Sequence, residues 1–180
     1  MRVPLLALAA LPLYSQILLL EPVSFTVSPG ERVGVVFRTE GAETPSPEAL
    51  RNATIFTGTA AFNITGLRQE DGAVAGSAPV KAPGTLVLHA SFARGECVFS
   101  AKALVVSEKP GGRFDRRATN HIELVPSEDP YLLKPGQVLR ANLLAGDKVH
   151  SVVEHTLKPG RQTVEARAGC SSATLTFELP

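Results

Sequence analysis

The chain predicts an all-β fold, two immunoglobulin-like or related β-sandwich units built from short strands, and three observations carry that prediction. Segments rich in Val, Leu and Thr alternate apolar and polar residues with a period of two, the pattern of a half-buried strand. Fifteen glycines and 14 prolines punctuate the 180 residues, with Pro-Gly pairs at 29–30, 83–84, 135–136 and 159–160. The segments between them recur at the short spacing of sandwiches. Hydrophobic residues make up 44% of the chain, ample for a buried core, although only 6% are aromatic and Trp is absent.

In chain order, Arg2 is followed by an apolar run from Val3 to Leu13 and by small or polar residues near Ser15, the shape of a signal peptide over 1–15. The run is short for a bilayer; counted on through Leu20 it reaches a marginal length, so an uncleaved N-terminal membrane anchor is the alternative. Next come a hydrophobic strand, a break at Glu21-Pro22, and a strand pair about Ser28-Pro29-Gly30, in which Val33, Val35 and Phe37 share a face. Residues 41–50 read as a polar loop ending in one helical turn at PSPEALRN. Two strands follow in NATIFTGTAAFNITGL, which also holds the glycan-acceptor patterns Asn52-Ala53-Thr54 and Asn63-Ile64-Thr65. After a turn at Glu70-Asp71-Gly72, TLVLHASF and CVFSAKALVVSE give two more strands.

Lys109-Pro110-Gly111-Gly112 reads as a linker, dividing a unit at 16–110 from a unit at 113–180. The second unit opens with HIELVPSEDPYLLKPGQVLRANLL, a strand, a turn and a strand, and continues through VHSVVEHTL, RQTVEARAG and CSSATLTFEL. The halves repeat one another. FTVSPGERVGVVF and YLLKPGQVLRANL match about Pro-Gly, placing Val33 with Leu139, Val35 with Ala141 and Phe37 with Leu143.

Eighteen basic against 17 acidic residues leave a net charge of +1, with no basic face for nucleic acid; Arg113, Arg116 and Arg117 read as a solvated loop. Cys97 and Cys170 have no metal-binding spacing. In an exported protein they read as a disulfide, and two separate buried thiols are the alternative. Serines are plentiful but none sits in G-x-S-x-G, and H-E-x-x-H and phosphate-binding glycine loops are missing, so the chain reads as a non-catalytic protein.

EPVSFTVSPGERV, AKALV and above all IELVPSEDPYLLKPGQVL carry a resemblance. With Glu123, Val125, Pro126, Pro130 and Gly136 in place, the chain resembles the NikM-like periplasmic family of exported bacterial proteins associated with nickel or cobalt uptake. The chain departs from that family at Gln16, where relatives usually carry His, and in having no Trp. The resemblance implies a periplasmic or secreted binding protein associated with uptake of nickel, cobalt or another small solute, and a membrane metal transporter or another envelope protein as partner. The residues suggest where a metal would bind. His121 and Glu123, two apart on a predicted strand, share a face and can chelate together. His89 would approach from the other half, while His150 and His155, five apart, cooperate only across a bend. Glu128 and Asp129, with Glu123 close by, read as a solvated acidic turn. A structural or protein- or glycan-binding domain of the cell envelope is the second reading of function.

Overall fold

The computed structural model describes residues 16–180; the expected signal peptide lies outside the described residues. Fourteen strands follow in order: β1 (Ile17–Pro22), β2 (Thr26–Val27), β3 (Arg32–Glu40), β4 (Arg51–Thr57), β5 (Ala60–Asn63), β6 (Thr65–Glu70), β7 (Ala73–Pro79), β8 (Gly84–Arg94), β9 (Cys97–Ser107), β10 (Ile122–Pro126), β11 (Val138–Ala145), β12 (Lys148–Thr156), β13 (Gly160–Ala168) and β14 (Ser171–Leu179). Single 3-10 turns at Pro47–Ala49 and Pro130–Leu132 each have proline near the start, where its missing N–H costs nothing. The fold is all-β and sandwich-like, as the alternation requires.

Its strands form three sheets. One runs β1-β3-β7-β6, a second β10-β11-β12, and a third β13-β14-β9-β8-β4-β5, with β2 added beside β9. The third sheet lies between the other two. On one face Leu86, Leu88, Ala90, Phe99, Ala101, Ala103 and Val105 pack against Leu18, Leu20, Val33, Val35 and Phe37. On the other, Val87 and Leu104 join Leu124, Leu139, Ala141, Leu143, Leu175 and Phe177. A strand covered on both faces reads as a nearly continuous apolar run, which is what TLVLHASFA and VFSAKALVV are.

The strands therefore do not divide into two self-contained units at residues 110–113. β14 pairs with β9 in parallel, Ser172 opposite Phe99 through Thr176 opposite Ala103, so strands from both sides of that stretch share one sheet. The reason is the double-sided burial of β8 and β9: each half supplies an outer sheet, and both outer sheets need the same central one. Residues 110–121 connect layers of a single stack.

Within the stack the repeat is close. Gly30 and Gly136, with φ of 90° and 89°, occupy the left-handed region that glycine tolerates. The Gly30 N–H donates to the Val80 carbonyl and the Val80 N–H to that of Glu31; the Gly136 N–H donates to Leu157 and the Leu157 N–H to Gln137. In each turn the following side chain reaches back three residues, Glu31 to the Ser28 N–H and Gln137 to the Lys134 N–H. The strand launched by each turn, β3 or β11, runs between two neighbours of its outer sheet, burying Val33, Val35 and Phe37 in one case and Leu139, Ala141 and Leu143 in the other.

Cys97 and Cys170 are joined, with Cα atoms 5.4 Å apart. Their separation of 73 residues equals the offset at which β14 registers with β9, so the bond lies in line with the parallel pairing of those two strands. Closing a loop of that length stabilises the fold by about 4 kcal/mol in the chain-entropy model.

Candidate functional site

The face of the central sheet toward β10 carries three buried ionisable side chains. His89 on β8 and Lys102 on β9 stand directly opposite one another, and Glu123 on β10 reaches Lys102, Nζ to Oε1 at 2.5 Å. All three are at most 1% exposed. Isolated charges at such depth would be untenable, so the pairing and its hydrogen bonds decide whether they stay. Lys102 Nζ also donates to the Arg116 carbonyl at 3.0 Å. Glu123 accepts the N–H groups of Ala118 and Thr119 at 3.0–3.1 Å. One ion pair thus fastens the connection 113–120 to the central sheet like a strap. Burial pulls Lys102 below the ordinary lysine value, against the opposing pull of Glu123. His89 is pushed down to about 4, chiefly by burial and further by Lys102, while Glu123 and the Asn52 carbonyl act against the shift. Its Nδ1 lies 3.2 Å from that carbonyl. At neutral pH His89 is an uncharged imidazole.

A second clamp holds the start of the strap. Asp129, 2% exposed, accepts from Thr85 Oγ1 at 2.5 Å, from the Gly111 N–H at 3.0 Å and from the Tyr131 N–H at 3.1 Å. The Thr85 N–H returns to the Gly111 carbonyl at 2.7 Å, and a Cβ on Gly84 would come 2.8 Å from that carbonyl oxygen. Tyr131, whose hydroxyl donates to the Leu104 carbonyl at 2.6 Å, is held above the ordinary tyrosine range mainly by burial. Of the acidic group expected as a solvated turn, only Glu128 is exposed; Glu123 and Asp129 are buried because each serves as acceptor for the strap.

No protein-family model and no curated protein matches the chain.

The five expected metal ligands do not gather. His121 precedes β10 in a bend and is exposed while Glu123 points into the interior, so the shared strand face is not formed. His150 is exposed on β12, at a bulge opposite Leu143 and Leu144; His155 is half-buried and bonded through Nε2 to Gln162 at 3.0 Å. His89 is enclosed beside Lys102. Among the described residues no group of three or more His, Cys, Asp or Glu side chains is placed to hold a metal ion.

What opens to the surface here is a polar concavity of about 370 Å³ over the strap, lined by Asn52, Arg117, Ala118, Thr119, Asn120 and His121. Arg117 is fixed in its wall by the carbonyls of Thr119 and Gly146 and by Asp147. Arg116 lies over the Phe56 ring at 4.7 Å and bonds the Thr59 carbonyl at 3.1 Å. Of the three arginines expected in a solvated loop, only Arg113 is exposed, because the other two seal the strap. Neither the strap nor its anchor Lys102 was marked by any motif; a lysine inside the apolar run FSAKALVV was the available signal.

Proposed function

We propose that the protein is an exported, non-catalytic β-sandwich binding module, a structural or interaction domain of the cell envelope or its exterior. The observation that carries this reading is the division of labour among the polar groups. Three of the side chains able to transfer protons or attack, His89, Lys102 and Glu123, are enclosed and tied to one another or to backbone. Hydrogen-bonding groups suited to holding a ligand, Asn52, Asn120 and His121, line the open concavity instead. The disulfide supports an oxidising compartment, periplasmic or secreted. A tie to nickel or cobalt uptake, with a membrane transporter as partner, draws on the family resemblance alone.

Calorimetric titration with nickel, cobalt, copper and zinc separates the two roles. Flat traces agree with the interaction module. One saturable equivalent of metal, lost in His121→Ala, would replace it with metal uptake. Binding of an envelope protein or glycan that weakens in both His121→Ala and Asn120→Ala would place the contact at the concavity.

A further inference from the structure

The two outer sheets begin alike and end differently. β7 lies beside β3 as β12 lies beside β11, with Ala75 opposite Val36 where Val152 stands opposite Asn142. On its far side β7 carries β6, antiparallel, with Arg68 opposite Ala75 and Thr65 opposite Ser77. β12 has no such cover: it is the last strand of its sheet, and β11 is its one neighbour among the described residues. Ala75 is accordingly half-buried, whereas Val152 is 54% exposed. The strand that closes the first outer sheet ends in Arg68, Gln69 and Glu70, polar side chains that keep an edge in water. β12 has Val149, Val152 and Val153 instead. Val149 and Val152, with Val138 of β11, are three of the five large hydrophobic side chains exposed among the described residues, and all three lie on the face turned away from the central sheet.

We propose that β12 pairs with β12 of a second copy of this chain, antiparallel about a two-fold axis, so that their two outer sheets become one. A two-fold axis delivers the same antiparallel sense that β6 has beside β7. Side-chain chemistry selects the register. With the axis at Val152, the two Val152 side chains meet, and His150 stands opposite Glu154 of the partner subunit, twice over. His150 is suited to that contact, being the bulged residue that has no opposite number on β11. Arg140 holds Glu154 at 2.9 Å, yet the carboxylate side chain stays 60% exposed and open to a second donor. An axis at Glu154 would set two carboxylates against each other, which like charges directly opposite disfavour.

The test is sedimentation of the purified full chain over a range of concentrations. Wild type should rise from the mass of one chain toward twice that mass. Val152→Lys, which sets two ammonium groups on the axis at an exposed position, should keep the mass of one chain throughout, with an unchanged circular dichroism spectrum. Val152→Cys should oxidise to a reducible dimer, because residues directly opposite across an antiparallel pair hold their Cβ atoms about 4.5–5.5 Å apart. Val138→Cys, on the same face but one strand in from the edge, should not. A wild type that keeps the mass of one chain at every concentration, or a Val152→Lys variant that associates as wild type does, would overturn the inference. Cross-linking through residue 138 and not 152 would also overturn it, by moving the contact from the edge to the open face. Protection of the β12 amides from hydrogen exchange only when another protein is added would assign the edge to that occupant and refute self-pairing.

Discussion

Removing the charge of Lys102 is the most direct test of the strap. In Lys102→Met the Glu123 carboxylate keeps its bonds to the Ala118 and Thr119 N–H groups but loses its one ion-pair partner among the described residues while remaining about 1% exposed. Breaking a buried pair from one side costs about 3–5 kcal/mol, because the remaining charge is left uncompensated. Glu123→Gln errs in the opposite sense and should cost a similar amount, leaving the Lys102 ammonium with the Arg116 carbonyl alone. The double variant is the informative one. Gln retains an oxygen for the strap N–H groups and Met fills the space of the lysine stem, so stability should return to within about 1 kcal/mol of wild type. Equilibrium urea unfolding of all four proteins gives the coupling energy. The reasoning fails if either single variant unfolds within about 1 kcal/mol of wild type, or if the two losses simply add.

His89 makes stability depend on pH. Its value falls from 6.5 to about 4 on folding, so between those values the unfolded chain binds the extra proton. The stabilising contribution is present above pH 6.5 and is lost as pH falls toward 4, amounting to about 3 kcal/mol at about 1.4 kcal/mol per unit. Unfolding measured across that window should show the slope, and His89→Leu should flatten it; an unchanged slope in the variant would assign it to other groups. Replacing Cys97 and Cys170 by Ser should lower stability by about 4 kcal/mol, and a loss below about 1 kcal/mol would mean the bond constrains little in the unfolded chain. Gly84→Ala should destabilise by about 1–3 kcal/mol, since the residue has φ of 118° and its new Cβ would press on the Gly111 carbonyl. Faster hydrogen exchange at the Thr85 and Gly111 amides would locate that damage at the second clamp.

Local grammar was the legible part of this sequence. Alternation, Pro-Gly turns and the matched offsets of Val33 with Leu139 through Phe37 with Leu143 marked strands, turns and repeat, because each is fixed by neighbours within a few residues. The pairing of Cys97 with Cys170 was open between two readings and is formed. The layering was hidden because a strand covered on both faces differs from a half-covered one only at its outward positions. On β8 and β9 those carry Val87, His89, Lys102 and Leu104, a mixture that obscures the pattern. The polar centre was less accessible still: Lys102 and Glu123 lie on different sheets, and no spacing rule joins them. His121 misled for a smaller reason. β10 starts one residue later, at Ile122, so the face that it appeared to share with Glu123 does not extend to it.

The bond between the first residue of β9 and the residue just ahead of β14 also sets how the molecule would carry mechanical load. β1 is stitched to β14 by Ser172 and Thr174, and Cys97 is joined to Cys170 just ahead of β14. A pull applied between the two ends of the chain would reach the covalent bridge before it reached anything between the cysteines. The strap, the sheet formed by β10, β11 and β12, and the hairpin leading into Cys170 would stay off the line of force. A pull at both ends would thus load the first half, with Asn52 on the rim of the concavity, while the strap that forms the rest of that rim stayed off the load path.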